Sequence, residues 1–312
     1  MNTLRKLIEN FNTNIKIRYD EQMSKHTTFK VGGNADVFFD PSSIEEMKTL
    51  ISFLKKNEQP FFVFGAGSNI VVSDSGINGS VICTKQLKSV KILQENQSNI
   101  ALKCEAGALM NDIASFCENN GISGLEPFSG LPGTIGGAVF MNARCYEYSI
   151  SDIIKTVLFY NSKTDSIETY QFNNEDWAYK KSPFQNTNNI ILEVVLSCSR
   201  GNRAQIKEKN SYYIEDRQKK GHFNFPSAGS VFKNNRDFGS PSGKIIDQAG
   251  LRGFCIGGAQ VASWHGNFII NKGTATAEDI HNLVLYIIEN VKNKTGFTLE
   301  PEIIFKGRGF DS

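Results

Sequence analysis

The stretch that decides the fold reads Phe61-Phe62-Val63-Phe64-Gly65-Ala66-Gly67-Ser68-Asn69, an apolar run that ends in a glycine-rich loop. A second cluster follows later, Gly130-Leu131-Pro132-Gly133-Thr134-Ile135-Gly136-Gly137-Ala138. Glycine has no Cβ, so it accepts positive φ and lets backbone amides approach a ligand closely. Successive amides in such turns form concave anion sites. The pair of loops predicts a dinucleotide held at its pyrophosphate from two sides; the alternative is that these glycines only make tight turns.

The first glycine cluster does not fit the two best-known nucleotide-binding motifs. A Rossmann fingerprint needs Gly-x-Gly-x-x-Gly at the start of a helix, whereas Ile70 occupies the third glycine position here. The β-prone run Ile70-Val71-Val72 and the turn residues within 74–79 leave no room for that helix. Neither cluster continues into the Gly-Lys-Ser/Thr of a phosphate loop. We therefore predict pyrophosphate binding outside a Rossmann fold.

Composition describes an ordinary globular protein and excludes several functional classes. The chain has 312 residues and a net charge of +2, so no strong positive field favours nucleic acid. It contains neither a secretory signal nor an apolar run long enough to span a bilayer. Its six cysteines and four histidines lack metal-ligand spacing. We expect a cytoplasmic protein with reduced thiols and no metal, nucleic-acid, membrane or obligatory protein partner.

Apolar periodicity predicts a mixed α+β chain with two lobes. Helices are expected at the N-terminus (1–11), over 44–54, 110–117 and 276–291, and as a polar helix over 204–220. The clearest break is Gly201-Asn202, which precedes that polar helix. A long loop is expected over 124–143, around the second glycine cluster, and a closing strand over 299–305.

Five segments, taken together and in order, resemble the UDP-N-acetylenolpyruvoylglucosamine reductase family. Each segment is weak evidence alone, but the ordered set is specific and extends from about Asn14 to Ile304. The segments are His26-Thr27-Thr28-Phe29-Lys30-Val31-Gly32-Gly33, Gly65–Asn69, Gly130–Ala143, Pro226-Ser227-Ala228-Gly229-Ser230-Val231-Phe232-Lys233-Asn234 and Leu299-Glu300-Pro301-Glu302.

The resemblance implies a fold and its division. It implies an α+β fold with an FAD-binding lobe of the vanillyl-alcohol-oxidase type, made of two α/β subdomains, and a smaller α+β substrate-binding domain. The FAD-binding region is expected over 1–202, with subdomains near 1–75 and 76–202. The substrate-binding domain is expected over 203–298, and a C-terminal strand that returns to the active site over 299–312.

The resemblance also implies a cofactor and a reaction. Family members use NADPH to reduce FAD, and the reduced flavin then delivers hydride to the terminal enolpyruvyl carbon of a UDP-sugar, a step of peptidoglycan precursor synthesis. Both glycine clusters are accordingly assigned to FAD. The cofactor-binding positions expected are Gly65, Ala66, Gly67, Ser68, Asn69, Gly130, Gly133, Thr134, Ile135, Gly136, Gly137 and Ala138.

Two positions match the family's catalytic serine and glutamate, Ser230 and Glu302. Ser230 is expected to give a proton to the carbon next to the site of hydride addition. A hydroxyl is a weak acid, so this requires a strongly basic acceptor such as a carbanion or enolate. Glu302 is expected to help stabilise or protonate the developing enol. Without the resemblance, Ser230 would be interpreted as a turn residue and Glu302 as a solvated carboxylate.

The third catalytic position departs from the family pattern. Where the family has Tyr-Arg-x-Ser, this chain has Tyr179-Lys180-Lys181-Ser182. Lys180 keeps the positive charge that polarises the substrate carboxylate but lacks the planar bidentate fork of arginine. We predict an electrostatic role for Lys180; Arg144 or Arg217 is an alternative source of the fork.

Four further positions are expected at the sugar nucleotide: Tyr179, Lys220, Asn234 and His265. A lysine suits a diphosphate and an asparagine suits a sugar or phosphate group. The alternatives are that Lys220 lies on a solvated helix face and that His265 is a structural hydrogen-bonder. Between Ser182 and Arg203 there is no space for the tyrosine-loop insertion of some family members, so the chain resembles the shorter subtype.

The function predicted is NADPH-dependent reduction of UDP-N-acetylglucosamine enolpyruvate to UDP-N-acetylmuramate. Two alternatives stay open. One is an FAD-dependent oxidase or dehydrogenase of the same superfamily with another substrate. The other is a nucleotide-sugar-binding protein with impaired catalysis, which only Lys180 suggests.

Overall fold

A computed structural model describes residues 3–96 and 98–310. Residues 1–2 of the predicted N-terminal helix and 311–312 of the predicted C-terminal segment lie outside the described residues. The helices within the described ranges are α1 (Thr3–Glu9), α2 (Ile44–Lys56), α3 (Met110–Asn120), α4 (Ile135–Phe140), α5 (Arg203–Lys219), α6 (Ser242–Gln248) and α7 (Ala277–Thr295).

The strands in the same ranges occur in several runs between these helices. They are β1 (Lys16–Gln22), β2 (Asn34–Asp40), β3 (Phe61–Phe64), β4 (Ile70–Val72), β5 (Ile77–Cys83), β6 (Val90–Glu95), β7 (Asn99–Glu105), β8 (Ile122–Ser123), β9 (Arg144–Cys145), β10 (Tyr148–Ser149), β11 (Ile154–Asn161), β12 (Ser166–Gln171), β13 (Ile190–Arg200), β14 (Ser227–Ser230), β15 (Cys255–Ile256), β16 (Ala259–Val261), β17 (Phe268–Asn271) and β18 (Ile304–Lys306). One sheet has the order β1-β2-β5-β3.

The chain divides into two units, each made of separate segments. The first unit contains residues up to Arg18, Phe38–Ala66 and Val81–Arg217. The second unit contains Tyr19–Val37, Gly67–Ser80 and the residues from Gln218 onward. The chain therefore passes between the units several times, within β1, β2 and β5 and in the first glycine cluster. The functional division predicted at 202 and 298 stays a prediction.

The first unit is built on an antiparallel sheet with the strand order β12-β11-β13-β7-β6, to which β8 adds at β13. Leu102, Val157 and Val194 are fully buried, in one core with Ile113 of α3 and Ile135 of α4. Gly121 ends α3 in a left-handed conformation with φ of 63°, as the sequence predicts for that helix stop.

The second unit contains an antiparallel sheet in the order β14-β17-β16-β15, with β18 parallel to β4. Helix α7 begins at a capping box, in which Thr276 Oγ1 accepts from Asp279 N–H at 3.0 Å. Ile280, Leu283 and Ile287 are fully buried on its inner face. The predicted cap and apolar face of this helix are both confirmed.

The expectation of an uninterrupted loop over 124–143 is wrong, because α4 forms within it at Ile135–Phe140. Two glycines in a short helix hide the helical pattern, since glycine is a poor helix former. Tertiary packing selects them: a Cβ at Gly136 would lie 2.9 Å from the Cβ of Ala106. Thr134 caps the helix by accepting from Gly137 N–H at 3.3 Å.

The expected strand over 299–305 is only partly regular. The strand itself is β18, while Pro301 makes an isolated bridge to Phe232. Proline cannot donate to a ladder and so interrupts the strand. None of the helices in the described ranges combines the length and apolar character needed to cross a bilayer.

Candidate functional site

Gly65 of the first glycine cluster and Thr134 of the second meet within the first unit. A Cβ at Gly65 would overlap the side-chain hydroxyl of Thr134. Gly65 is therefore required by a close approach rather than by an unusual φ. The sequence predicts that both clusters serve one ligand, and this contact brings them together.

The backbone at the clusters fits a pyrophosphate-bearing cofactor. The N–H groups of Ala66, Gly67 and Ser68 donate to no acceptor within the described ranges. Gly137, in the first turn of α4, is exposed, and a Cβ there would meet only Thr134 Oγ1 at 3.5 Å. Amides without protein acceptors, and a glycine backbone that no side chain covers, are each features that a bound phosphate uses.

Other members of the second cluster have internal partners. Ile135 N–H donates to Ala108 at 2.9 Å, and Gly136 N–H donates to Ala106 at 2.9 Å. Gly130 N–H donates to Asn111 Oδ1 at 2.9 Å. These bonds fix the path of the loop, so that Gly133, at φ of 127°, and Gly137 are presented by a rigid support. Contact of each of these residues with FAD stays a prediction.

The first cluster is anchored in the second unit by the segment that begins at His26. Gly67 lies against the His26 carbonyl, where any side chain would clash, and its own carbonyl accepts from Thr28 N–H at 3.1 Å. At the other end of the loop, Asn69 Nδ2 donates to the carbonyl of Glu302 at 3.0 Å. Two segments of the family resemblance thus bind the glycine loop directly.

Ser230 lies at the end of β14, directly after a β-bulge. Ser227 pairs with Ile270 and Ser230 with Phe268, so three steps on β14 oppose two on β17. Gly229 accommodates the extra residue with φ of 72°. A bulge of this kind re-aims the next side chain, and Ser230 is exposed between buried Ala228 and buried Val231.

Glu302 lies on the segment that pairs with the continuation of β14. Glu302 N–H donates to Val231 at 2.7 Å, and Lys233 N–H donates to Glu300 at 2.9 Å. Lys233 Nζ also pairs with the Glu300 carboxylate at 2.5 Å. Main-chain pairing therefore brings the two predicted catalytic positions, Ser230 and Glu302, onto adjoining segments.

The sequence did not single out Asn267, which holds this pairing in register. Its buried side chain, 4% exposed, accepts from Phe232 N–H and donates to the Phe232 carbonyl, both at 2.8 Å. Its carbonyl accepts from Val231 N–H at 2.9 Å. The only sequence signal is an asparagine placed just before an apolar strand.

Lys180 lies in the first unit, at the third position of a tight turn. Ala178 and Lys181 close the turn with main-chain bonds of 3.2 and 3.0 Å in the two directions. Lys180 has φ of 56°, the left-handed region that a type II turn requires at this position and that glycine normally fills. Such backbone costs on the order of 1 kcal/mol or more and clusters at functional sites.

The alternative cations have other partners in the first unit. Arg144 pairs with Glu147 at 2.9 Å. The Arg217 side chain, 7% exposed, donates through Nε to the Ser129 carbonyl at 2.9 Å and lies over the Tyr146 ring. Arg217 thus supports the main chain directly before Gly130, so its fork is not an uncommitted group awaiting a carboxylate.

The predicted substrate residues are distributed between the units. Tyr179, 44% exposed, belongs to the turn of Lys180 in the first unit. Asn234 and Lys220 are exposed in the second unit, where Asn234 Oδ1 accepts from Ser242 N–H at 2.9 Å. His265 accepts from Asn267 N–H at 3.1 Å through Nδ1. Burial lowers the His265 pKa; the charge of Asp247 opposes this shift and the charge of Arg252 adds to it.

In the part of the chain that the structure describes, thiols and carboxylates form no metal centre. Within the described ranges, no group of three or more histidine, cysteine, aspartate or glutamate side chains converges on a common point. Burial raises the pKa of Cys83 to about 11 and that of Cys198 to about 12, which keeps both thiols protonated and unreactive at neutral pH.

Comparison with known proteins agrees with this geometry. A model of the FAD binding domain matches residues 35–168, and a model of the UDP-N-acetylenolpyruvoylglucosamine reductase C-terminal domain matches residues 218–306. The UDP-N-acetylenolpyruvoylglucosamine reductase of Treponema denticola is 45% identical, over 93% of this chain and 94% of its own length. The chain belongs to the UDP-N-acetylenolpyruvoylglucosamine reductase family.

Other family members extend the agreement over the whole chain. The reductase of Borrelia garinii is 39% identical, over 97% of both chains. The crystal structure of the Thermus caldophilus reductase matches with a TM-score of 0.76 at 28% identity, covering 94% of this chain and 99% of that chain. The family resemblance and the α+β fold with an FAD-binding domain are confirmed.

The matched models also partition the site. The FAD-binding model covers both glycine clusters, and the C-terminal reductase model covers Ser230, Glu302 and the predicted substrate residues of the second unit. Lys180 lies in the stretch between the two models. The position that departs from the family pattern, together with its neighbour Tyr179, thus lies outside both models.

Proposed function

We propose that this protein is an FAD-dependent reductase that uses NADPH to convert UDP-N-acetylglucosamine enolpyruvate into UDP-N-acetylmuramate. The relatives that match over nearly the whole chain carry the reductase name. The observation that supports the proposal most directly is the pairing around Glu302. Its N–H donates to the carbonyl of Val231, next to Ser230, and its carbonyl accepts from Asn69 Nδ2 of the first glycine cluster. A proton donor, a carboxyl group and a cofactor loop therefore lie on bonded segments.

Each side chain has a defined task in this proposal. FAD, held by the two glycine clusters, would supply the hydride that the terminal enolpyruvyl carbon receives. As that C–H bond forms, the π electrons move to the adjacent carbon, where the Ser230 O–H bond breaks to deliver the proton. Lys180 stabilises the negative charge that develops on the attached carboxylate. Ser230 recovers its proton from solvent, so each turnover consumes one NADPH and one proton.

The remaining positions bind and orient. Lys220, exposed and cationic, suits the diphosphate as a point charge. Asn234 suits a sugar or phosphate oxygen through its amide group, and its Oδ1 accepts from Ser242 N–H. Glu302 assists the developing enol. We also propose a cytoplasmic location, because the buried thiols of Cys104, Cys117 and Cys198 suit a reducing compartment.

The decisive experiment measures NADPH oxidation with and without UDP-N-acetylglucosamine enolpyruvate. We expect substrate-dependent oxidation, and we expect Ser230→Ala to reduce it by about 10²–10⁴-fold, the usual contribution of a positioned acid. Flavin bleaching by NADPH should be unchanged in that variant. Ser227→Ala, on the same strand, is the matched control and should turn over normally.

The outcomes separate the alternatives. Rapid oxygen consumption with a small alcohol, and no substrate-dependent NADPH oxidation, would indicate an oxidase. Protein that stays colourless after refolding with FAD would indicate a binding protein without redox function. Full activity of Ser230→Ala would remove Ser230 from the mechanism while leaving the reductase function intact.

A further inference from the structure

The turn that carries Lys180 is tied to the helix of the second glycine cluster. Helix α4 begins at Ile135, after its cap Thr134, and ends at Phe140. The Phe140 carbonyl accepts from Ser182 Oγ at 2.7 Å and from Gln185 Nε2 at 2.9 Å. Gln185 Nε2 also donates to the Lys180 carbonyl at 3.2 Å. One amide group therefore links the end of α4 to the residue in the left-handed conformation.

Asn142 makes the second link. It is 3% exposed, and its Nδ2 donates to the carbonyl of Ala178, the first residue of the turn, at 2.8 Å. Its Oδ1 accepts from Ser151 N–H at 3.3 Å, so both ends of the amide are used. Asn142 itself has φ of 41°, a conformation that asparagine tolerates better than most residues.

We propose that Asn142 and Gln185 are positioning residues that hold Lys180 at the orientation required by the substrate carboxylate. This inference rests on the proposed function. Lysine is a flexible point charge without the preorganised fork of arginine. The orientation that arginine would obtain from its own geometry has to come from a fixed backbone here, and a fixed backbone is what the two amides supply.

The first test uses binding rather than turnover. UDP-N-acetylmuramate carries the carboxylate and UDP-N-acetylglucosamine lacks it. The ratio of their affinities for the FAD-loaded enzyme therefore measures how much Lys180 contributes to binding of the carboxylate. Asn142→Gly removes the amide while accepting the left-handed backbone. In calorimetry, we expect this variant to bind UDP-N-acetylmuramate at least about fivefold more weakly than the parent does. Its affinity for UDP-N-acetylglucosamine should fall by less than about twofold.

A matched control distinguishes positioning from general damage. Asn57 Nδ2 donates to the Phe53 carbonyl at 2.8 Å in the same unit, so Asn57→Gly removes an equivalent bond away from the turn. That variant should leave both affinities unchanged. Gln185→Met keeps the side-chain volume without the donor and should reproduce the selective loss. It also keeps the proposal testable if Asn142→Gly fails to fold.

The second test is a double-mutant comparison with Lys180→Met as reference. If Asn142 acts through Lys180, adding Asn142→Gly to Lys180→Met should change the affinity ratio by less than about twofold. In stopped flow, Asn142→Gly should slow reoxidation of the reduced flavin by the enolpyruvyl substrate about tenfold. Flavin reduction by NADPH should stay within about twofold of the parent, since only the second half-reaction needs the cation.

The possible results distinguish failure of this inference from failure of the proposed function. If Asn142→Gly lowered the affinity for both nucleotides equally, or slowed both half-reactions, Asn142 would have only a structural role and the proposal would be overturned. Selective loss in Lys180→Met with a normal Asn142→Gly would overturn it as well. No effect of Lys180→Met in an active enzyme would remove the cation role, and with it this inference, while the reductase function stands.

Discussion

The turn of Lys180 and the segments of Ser230 and Glu302 place the proposed catalytic side chains by opposite means. In the first unit, Lys180 depends on side-chain amides and a hydroxyl that reach main-chain carbonyls. In the second unit, Ser230 and Glu302 are placed by main-chain pairing and one glycine bulge. The first arrangement loses a bond with one substitution, whereas the second persists through most changes of side chain.

The difference has a physical origin. A ladder bond uses groups that every non-proline residue carries, so pairing is insensitive to residue type. A side-chain clamp needs a particular donor at a particular position, so a single substitution removes its bond. We expect substitutions around Ser230 to be tolerated, with two kinds of exception. These are a side chain that bonds buried main-chain groups and a glycine that adopts a positive φ.

Asn267 is the exception with the largest expected effect. Asn267→Ala leaves the buried N–H and C=O of Phe232 unpaired, and should lower the free energy of unfolding by about 2–4 kcal/mol in urea titrations. Asn224→Ala, at an exposed position in the same unit, is the control. A loss below about 0.5 kcal/mol would mean that the ladder alone holds Val231 and Glu302 together.

The variant Gly137→Ala tests whether the first turn of α4 faces FAD, as we propose. The protein has room for a Cβ there, and alanine is the better helix former, so Gly137→Ala should keep or raise apoprotein stability by up to about 1 kcal/mol. If the exposed backbone faces FAD, the dissociation constant for FAD should rise about tenfold, or about 1.4 kcal/mol, in flavin titrations. Unchanged affinity would remove Gly137 from the cofactor site.

Gly229 tests the bulge. Both Gly229 and Gly239 have positive φ, 72° and 66°, with no atom within 4 Å of a new Cβ. Alanine at either position should therefore cost about 1 kcal/mol of stability through backbone strain alone. Only Gly229→Ala should also reduce turnover, because it alone alters the aim of Ser230. Equal turnover in the two variants would contradict a role for the bulge.

The smallest expected effect concerns His265 and is a change in how the free energy of unfolding depends on pH. Burial lowers its pKa below the ordinary value near 6.5, so the unfolded chain binds more protons between the folded pKa and that value. Stability should be fully present above about pH 6.5 and fall as the pH decreases. His265→Gln should flatten this dependence in urea titrations between about pH 5 and 7, and Asn224→Ala, which removes no titratable group, should not. A parental slope in His265→Gln would show that burial does not act on this group.

Sequence reasoning succeeded where the signal is local. The capping residue and buried face of α7 follow from periodicity, because a helix brings every third or fourth side chain to one side. It failed at α4, where two glycines conceal a helix that packing against Ala106 selects. It gave no indication of Asn142 or Asn267, because an asparagine pattern says nothing about which distant carbonyl it will meet.

The sequence by itself determined which chemistry the chain carries: two glycine-rich loops, a serine, a glutamate and a lysine at positions that match one family. Only the tertiary structure decided which glycine amides stay uncovered, how a bulge exposes Ser230 and which amides fix the turn of Lys180. Local pattern encodes residue type and periodicity, whereas these three outcomes depend on hydrogen bonds between segments that only folding brings together.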